Sequence, residues 1–79
     1  MNGTFSTDTT ALRKLMIDHE IKTVNELSER SGVNRNTLAQ VLNGKLQPSS
    51  DVMSRLIFVL NIEPARAGEI FFKSNLRGA

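Results

Sequence analysis

With 79 residues the chain has room for one small domain, and a chain this size buries roughly 60% of its unfolded surface, which makes a core of modest stability. It holds no cysteine, which excludes disulfides and thiolate zinc sites and fits a cytosolic setting. Ten Lys and Arg against eight Asp and Glu leave a net charge of +2, which permits a polyanionic partner without requiring one. The longest apolar run, Leu56 to Leu60, is far too short to span a bilayer, and the N-terminus lacks the basic-then-apolar order of a signal peptide.

In chain order, residues 1–7 are small and polar apart from Phe5, and are expected to be mobile. Asp8 or a neighbouring Thr caps a first helix over about residues 8–20, with Leu12, Leu15 and Met16 as its apolar stripe and Arg13, Lys14 and Asp18 toward water. Ile21 packs as the chain turns toward Thr23. Thr23 caps a second helix, with Glu26 three residues on at the capping-box spacing, and Val24, Leu27 and Ser31 share one face. Gly32 tolerates the positive φ at which this helix ends, and Val33 turns inward. Asn34 caps a third helix, whose first turn is Arg35, Asn36 and Thr37 and whose buried stripe is Leu38, Val41 and Leu42. Asn43-Gly44 closes it.

Residues 45–49 form a loop with Pro48 as the breaker. Ser49 or Ser50 caps a fourth helix over about residues 50–60, favoured by Asp51 in its first turn, with Val52, Met53, Leu56, Ile57 and Leu60 on its core face. Asn61 ends it, and Pro64 suits the first turn of a fifth helix over about residues 63–72, with Ile70, Phe71 and Phe72 at its apolar end. Residues 73–79 are polar and expected to fray. No segment alternates with period two over strand length, so no sheet is expected. The architecture is therefore an all-α domain over residues 8–72, with a mobile segment 1–7 before it and a tail 73–79 after it.

The outward face of the third helix is the informative part. It carries Arg35, Asn36, Thr37, Ala39 and Gln40, with no acidic residue. A helix facing plain solvent usually mixes Glu with Lys. One that lies against nucleic acid cannot keep carboxylates there, because each would face a phosphate.

The pattern T-x-x-E-L-S-x-x-S-G-V-x-x-x-T-L-x-x-x-L-N-G-K-x-x-P-S, from Thr23 to Ser49, resembles the phage repressor and Cro-type (XRE) helix-turn-helix proteins. The resemblance extends over about residues 8–72. It implies a compact five-helix, lambda-repressor-like fold that binds operator DNA, usually as a homodimer, in the bacterial cytoplasm. Small members of the family act in lysogenic switches, as bacterial regulators and as antitoxins. The resemblance puts Arg35, Asn36, Thr37 and Gln40 at the base-reading positions, and side-chain chemistry agrees. Arg pairs bidentately with guanine O6 and N7, and Asn or Gln with adenine N6 and N7. Thr23, Asn43 and Lys45 would hold backbone phosphates, Thr23 through a helix N-terminus that favours an anion. One departure is Val24, where the family often has a Gln that reaches a phosphate or base edge.

Other chemistry finds little support. His19 is the sole histidine, and with no second His or Cys a metal site lacks ligands. Asp18 and Glu20 are adjacent and diverge on a helix, which makes them a poor acid/base pair. No activated nucleophile or Gly-rich phosphate loop is present, so neither an enzyme nor a cofactor is expected. Phe58 and Val59 exceed what the stripe of the fourth helix needs, and with Phe71 and Phe72 they are candidates for core filler or for a partner or dimer interface. At least one Phe is expected in the core and at least one at a partner or dimer interface. Two functions follow: a sequence-specific DNA-binding transcriptional regulator of a phage-type switch, or a modulator (antirepressor) that uses the same fold to bind and inactivate a partner repressor.

Overall fold

The computed structural model describes residues 5–74. In chain order its elements are β1 (Phe5–Ser6), α1 (Thr9–Asp18), α2 (Val24–Ser31), α3 (Arg35–Leu42), α4 (Ser50–Val59), α5 (Pro64–Phe71) and β2 (Lys73–Ser74). The domain is mostly helical, and its five helices stand where the apolar spacing put them, with ends shifted by one or two residues.

The starts follow from short polar side chains. The Asp8 carboxylate accepts the Ala11 N–H at 3.1 Å, and the Ser49 hydroxyl accepts the Val52 N–H at 3.3 Å, so Ser49 is the cap of α4. Pro64 opens α5, where a missing N–H costs nothing. The ends of α1 and α4 share one device. Glu20 (φ 59°) and Asn61 (φ 51°) adopt the left-handed conformation just past each helix. The Ile21 N–H then donates to the Met16 carbonyl at 2.8 Å, and the Ile62 N–H to Ile57 at 2.9 Å. This is the Schellman ending, which satisfies terminal carbonyls and turns the next apolar residue inward. Ile21 and Ile62 are accordingly buried.

α2 packs on α3 and α4, while α1 packs on α3 and α5. Leu12, Leu27, Leu38, Val41, Leu56, Leu60, Ile70 and Phe71 fill the space between them. Leu15, Val24, Val52, Met53, Ile57 and Val59 pack partly buried around this centre. Phe71 is among the candidates for a partner or dimer interface, and does not take that place. It is 1% exposed and belongs to the core, because α5 turns that side of its apolar end inward and Phe72 outward.

The expectation of no sheet is corrected. β1 and β2 pair antiparallel, Phe5 with Ser74 and Ser6 with Lys73. Phe5 and Phe72 meet edge to face, with ring centroids 6.2 Å apart, yet each remains half exposed. Phe5–Ser6 and Lys73–Ser74 thus take part in the fold; the rest of segments 1–7 and 73–79 is Thr7, described as loop, and residues outside those described. A cluster of hydrogen bonds anchors the pair. The Asp8 N–H donates to the Ile70 carbonyl at 2.7 Å, Gln47 Nε2 donates to the Phe71 carbonyl at 2.6 Å, and the Thr7 hydroxyl donates to Gln47 Oε1 at 3.0 Å.

Candidate nucleic-acid interface

Four hydrogen bonds fix the angle between α2 and α3. Gly32 ends α2 at φ 77°, and its N–H donates to the Ser28 carbonyl at 2.8 Å. The Ser28 hydroxyl donates to the Val33 carbonyl at 2.6 Å, while the Val33 N–H donates to the Ser31 hydroxyl at 3.2 Å. From α4, Arg55 Nη1 reaches the Ser31 carbonyl at 3.2 Å. Val33 is thereby held inward, 6% exposed, and α3 leaves the turn in one direction.

α3 starts at Asn34, whose Oδ1 accepts the N–H groups of Asn36 (2.8 Å) and Thr37 (3.3 Å). Asn34 is thus occupied as a cap. The end of α3 is a third Schellman turn: Gly44 takes φ 76°, its N–H donates to Val41 at 3.1 Å, and the Lys45 N–H donates to the Gln40 carbonyl at 2.8 Å. Leu38, Val41 and Leu42 are buried, which commits the opposite side of the helix to the outside. Arg35, Asn36 and Gln40 are exposed there, and Thr37 and Ala39 are half-buried.

The electrostatic setting is uneven. No Asp or Glu occurs between Glu29 and Asp51, so the turn, α3 and the loop after it carry only the cations Arg30, Arg35 and Lys45. Arg30, Arg55 and Arg66 are paired with Glu26, Asp51 and Glu69 at 3.0, 3.1 and 3.4 Å, and Arg13 is bonded to main chain and amide oxygens. The side chains of Arg35, Asn36, Thr37, Gln40 and Lys45, in contrast, make no hydrogen bond or ion pair among the described residues. A guanidinium and two carboxamides are thus presented outward on a rigid helix with their donors and acceptors unused.

Thr23 stands at the N-terminus of α2, where its Oγ1 accepts the Glu26 N–H at 3.1 Å. The Glu26 carboxylate reaches back past the cap to the Lys22 N–H at 3.1 Å and also receives Arg30, so its charge is compensated locally. Val24 packs partly buried against the core. Asn43 and Lys45 are exposed at the far end of α3, but Arg13, read from the sequence as a residue facing water, donates Nη2 to the Leu42 carbonyl at 2.9 Å and to Asn43 Oδ1 at 3.2 Å. Among the remaining expected interface residues, Phe58 is 86% exposed on α4, Phe72 is half exposed and Val59 is half-buried.

Arg13, Arg55 and Gln47 were not singled out by sequence reading. Each acts across an element boundary, on carbonyls that no local pattern points to. The one available hint was that helix C-termini leave carbonyls which basic side chains can satisfy.

Two short helices meeting at a glycine turn, the second displaying unpaired polar groups, define a helix-turn-helix domain. The model of the Cro/C1-type HTH DNA-binding domain family matches residues 11–66, and the chain belongs to that family. No curated protein and no solved structure matches the chain. Family membership makes this a DNA-binding, non-enzymatic domain of the kind that regulates transcription. Among the described residues, no helix is long and apolar enough to cross a membrane.

Proposed function

We propose that the chain is a sequence-specific transcriptional regulator that reads operator DNA in the major groove with α3, as part of a phage-type genetic switch in the bacterial cytoplasm. The observation that carries this reading is the outward face of α3: Arg35, Asn36 and Gln40 are exposed and unpaired among the described residues, on a stretch without carboxylates, while Arg13, Arg30, Arg55 and Arg66 are all engaged. Arg35 is suited to guanine, Asn36 and Gln40 to adenine, and Thr37 to either a base edge or a thymine methyl. Thr23, Asn43 and Lys45 hold phosphates at the two ends of the motif. The domain over residues 8–72 acts as a homodimer on half-sites one helical turn apart, about 34 Å.

The test is an electrophoretic shift on DNA from the gene's own locus. Arg35→Ala with Gln40→Ala should abolish the specific complex, since each lost base contact costs about 1–3 kcal/mol. Six to ten phosphate contacts per dimer would lower the affinity about 10³–10⁵-fold between 50 and 200 mM salt. A shift unaltered in the double variant would defeat the reading.

A second reading is favoured by Phe58, 86% exposed on α4, and by Val24, which offers no polar atom at the α2 N-terminus. In it the chain is a modulator that covers a repressor's basic recognition surface, using carboxylates among Asp8, Asp18, Glu20, Glu26, Glu29, Asp51, Glu63 and Glu69. Co-elution with a neighbouring repressor, without DNA binding by the chain alone, would select it.

A further inference from the structure

Asn43 and Arg13 meet where α3 ends, and the chemistry of that contact is directional. A guanidinium has donors and no acceptor. The Asn43 atom facing Arg13 Nη2 at 3.2 Å must therefore be the carbonyl oxygen Oδ1. Its Nδ2 then points away from Arg13, on a residue that is exposed. A free carboxamide at this position would rotate, and half of its orientations would turn an oxygen lone pair toward any approaching phosphate. The same Arg13 nitrogen holds the Leu42 carbonyl at 2.9 Å, so the guanidinium is anchored to the main chain of α3 as well as to the amide. Behind Asn43, the Gly44 and Lys45 N–H groups are spent on the Val41 and Gln40 carbonyls. Asn43 Nδ2, beside Lys45 Nζ, is thus left free to donate to an anion.

We infer that Arg13, from α1, is a positioning residue for DNA binding: it takes Asn43 Oδ1 and so presents Asn43 Nδ2 as a fixed donor to a backbone phosphate. This rests on the proposed reading of Asn43 as a phosphate contact. The role assigned to Arg13 is to hold the amide. Its effect passes through the amide, and this separates it from an ordinary surface cation, whose contribution is Coulombic and independent of Asn43.

A double-mutant cycle on DNA affinity, with Lys14→Ala as the control for loss of one positive charge from α1, tests this. Arg13→Ala should weaken binding about two- to tenfold more than Lys14→Ala, the worth of roughly one hydrogen bond. In an Asn43→Ala background, Arg13→Ala should cost no more than Lys14→Ala. Asn43→Asp keeps an acceptor for Arg13 but removes the outward donor and adds a negative charge, so it should bind DNA more weakly than Asn43→Ala. Equal, additive losses from Arg13→Ala in both backgrounds would overturn the positioning role and leave the DNA-binding reading standing. Failure of the unaltered chain to bind DNA from its own locus would overturn both.

Discussion

Arg55 of α4 donates from Nη1 to the main-chain carbonyl of Ser31, 3.2 Å away, at the last residue of α2. Among the described residues Ser31 is the buried polar one, 6% exposed, and its carbonyl stands one residue before the turn that aims α3. A long side chain from a neighbouring helix thus closes the end of α2 that its own sequence leaves open. The Arg55 pairing with Asp51 is solvent-exposed and adds little by itself. Arg55→Ala should therefore destabilise chiefly by orphaning the Ser31 carbonyl, by about 1–2 kcal/mol. Thermal unfolding would show a Tm lower by about 4–8 °C per kcal/mol for a domain this size. Asp51→Ala should move Tm far less, and an equal drop in both would assign the effect to the ion pair.

Gly32 is coupled to the same guanidinium. A Cβ at this position would lie 2.9 Å from Arg55 Nη1, and the backbone there has φ 77°. Gly32→Ala should cost about 1–2 kcal/mol from left-handed strain alone, plus whatever is lost as Arg55 moves aside. Measured by denaturant unfolding, the penalty should be smaller in the Arg55→Ala background, since only the steric part disappears. An identical penalty in both backgrounds would show that the two groups do not collide.

Glu20 offers a change in the other direction. It holds φ 59° just past α1, with a carboxylate beside the negative end of the helix dipole. Glu20→Gly removes both costs at the expense of a more flexible unfolded chain. The balance should be a stabilisation of about 0.5–1 kcal/mol, visible as a modest rise in Tm.

Stability and recognition should separate across the two sides of α3. Leu38 is completely buried, so Leu38→Ala should cost about 2–5 kcal/mol, a large part of what a domain of this size has. Arg35→Ala, on the opposite side and without an intramolecular partner among the described residues, should leave the unfolding free energy within about 0.5 kcal/mol of unchanged. The same change should weaken specific DNA binding about 5- to 150-fold, equivalent to about 1–3 kcal/mol. Circular dichroism melts and binding isotherms on the two variants would check this together.

The helices were legible because their signals are local. Asn34 before Arg35, Gly32 after Ser31, and Leu38, Val41 and Leu42 at helical spacing all act within one or two turns. The β1–β2 pair was not legible, since two residues from each end of the domain cannot display a period and their pairing depends on where α5 delivers the chain. Phe71 and Phe72 show the same limit. Adjacent and identical in type, they diverge on the helix end, one 1% and the other 50% exposed, and only the packing of α5 decides which is which. At the site, the residues on the α3 surface could be read from spacing, whereas Arg13 and Gln47 could not. Their partners, the carbonyls of Leu42 and Phe71, are 29 and 24 positions away.

The antiparallel pairing of Phe5 with Ser74 and Ser6 with Lys73 also sets how the domain would yield to tension. A load pulling Phe5 and Ser74 apart strains their rung and the edge contact between the Phe5 and Phe72 rings first, and the Ser6–Lys73 rung behind them next, like the teeth of a zip. The first mechanical event is a small, early opening at the seam, with the five-helix body still intact behind it.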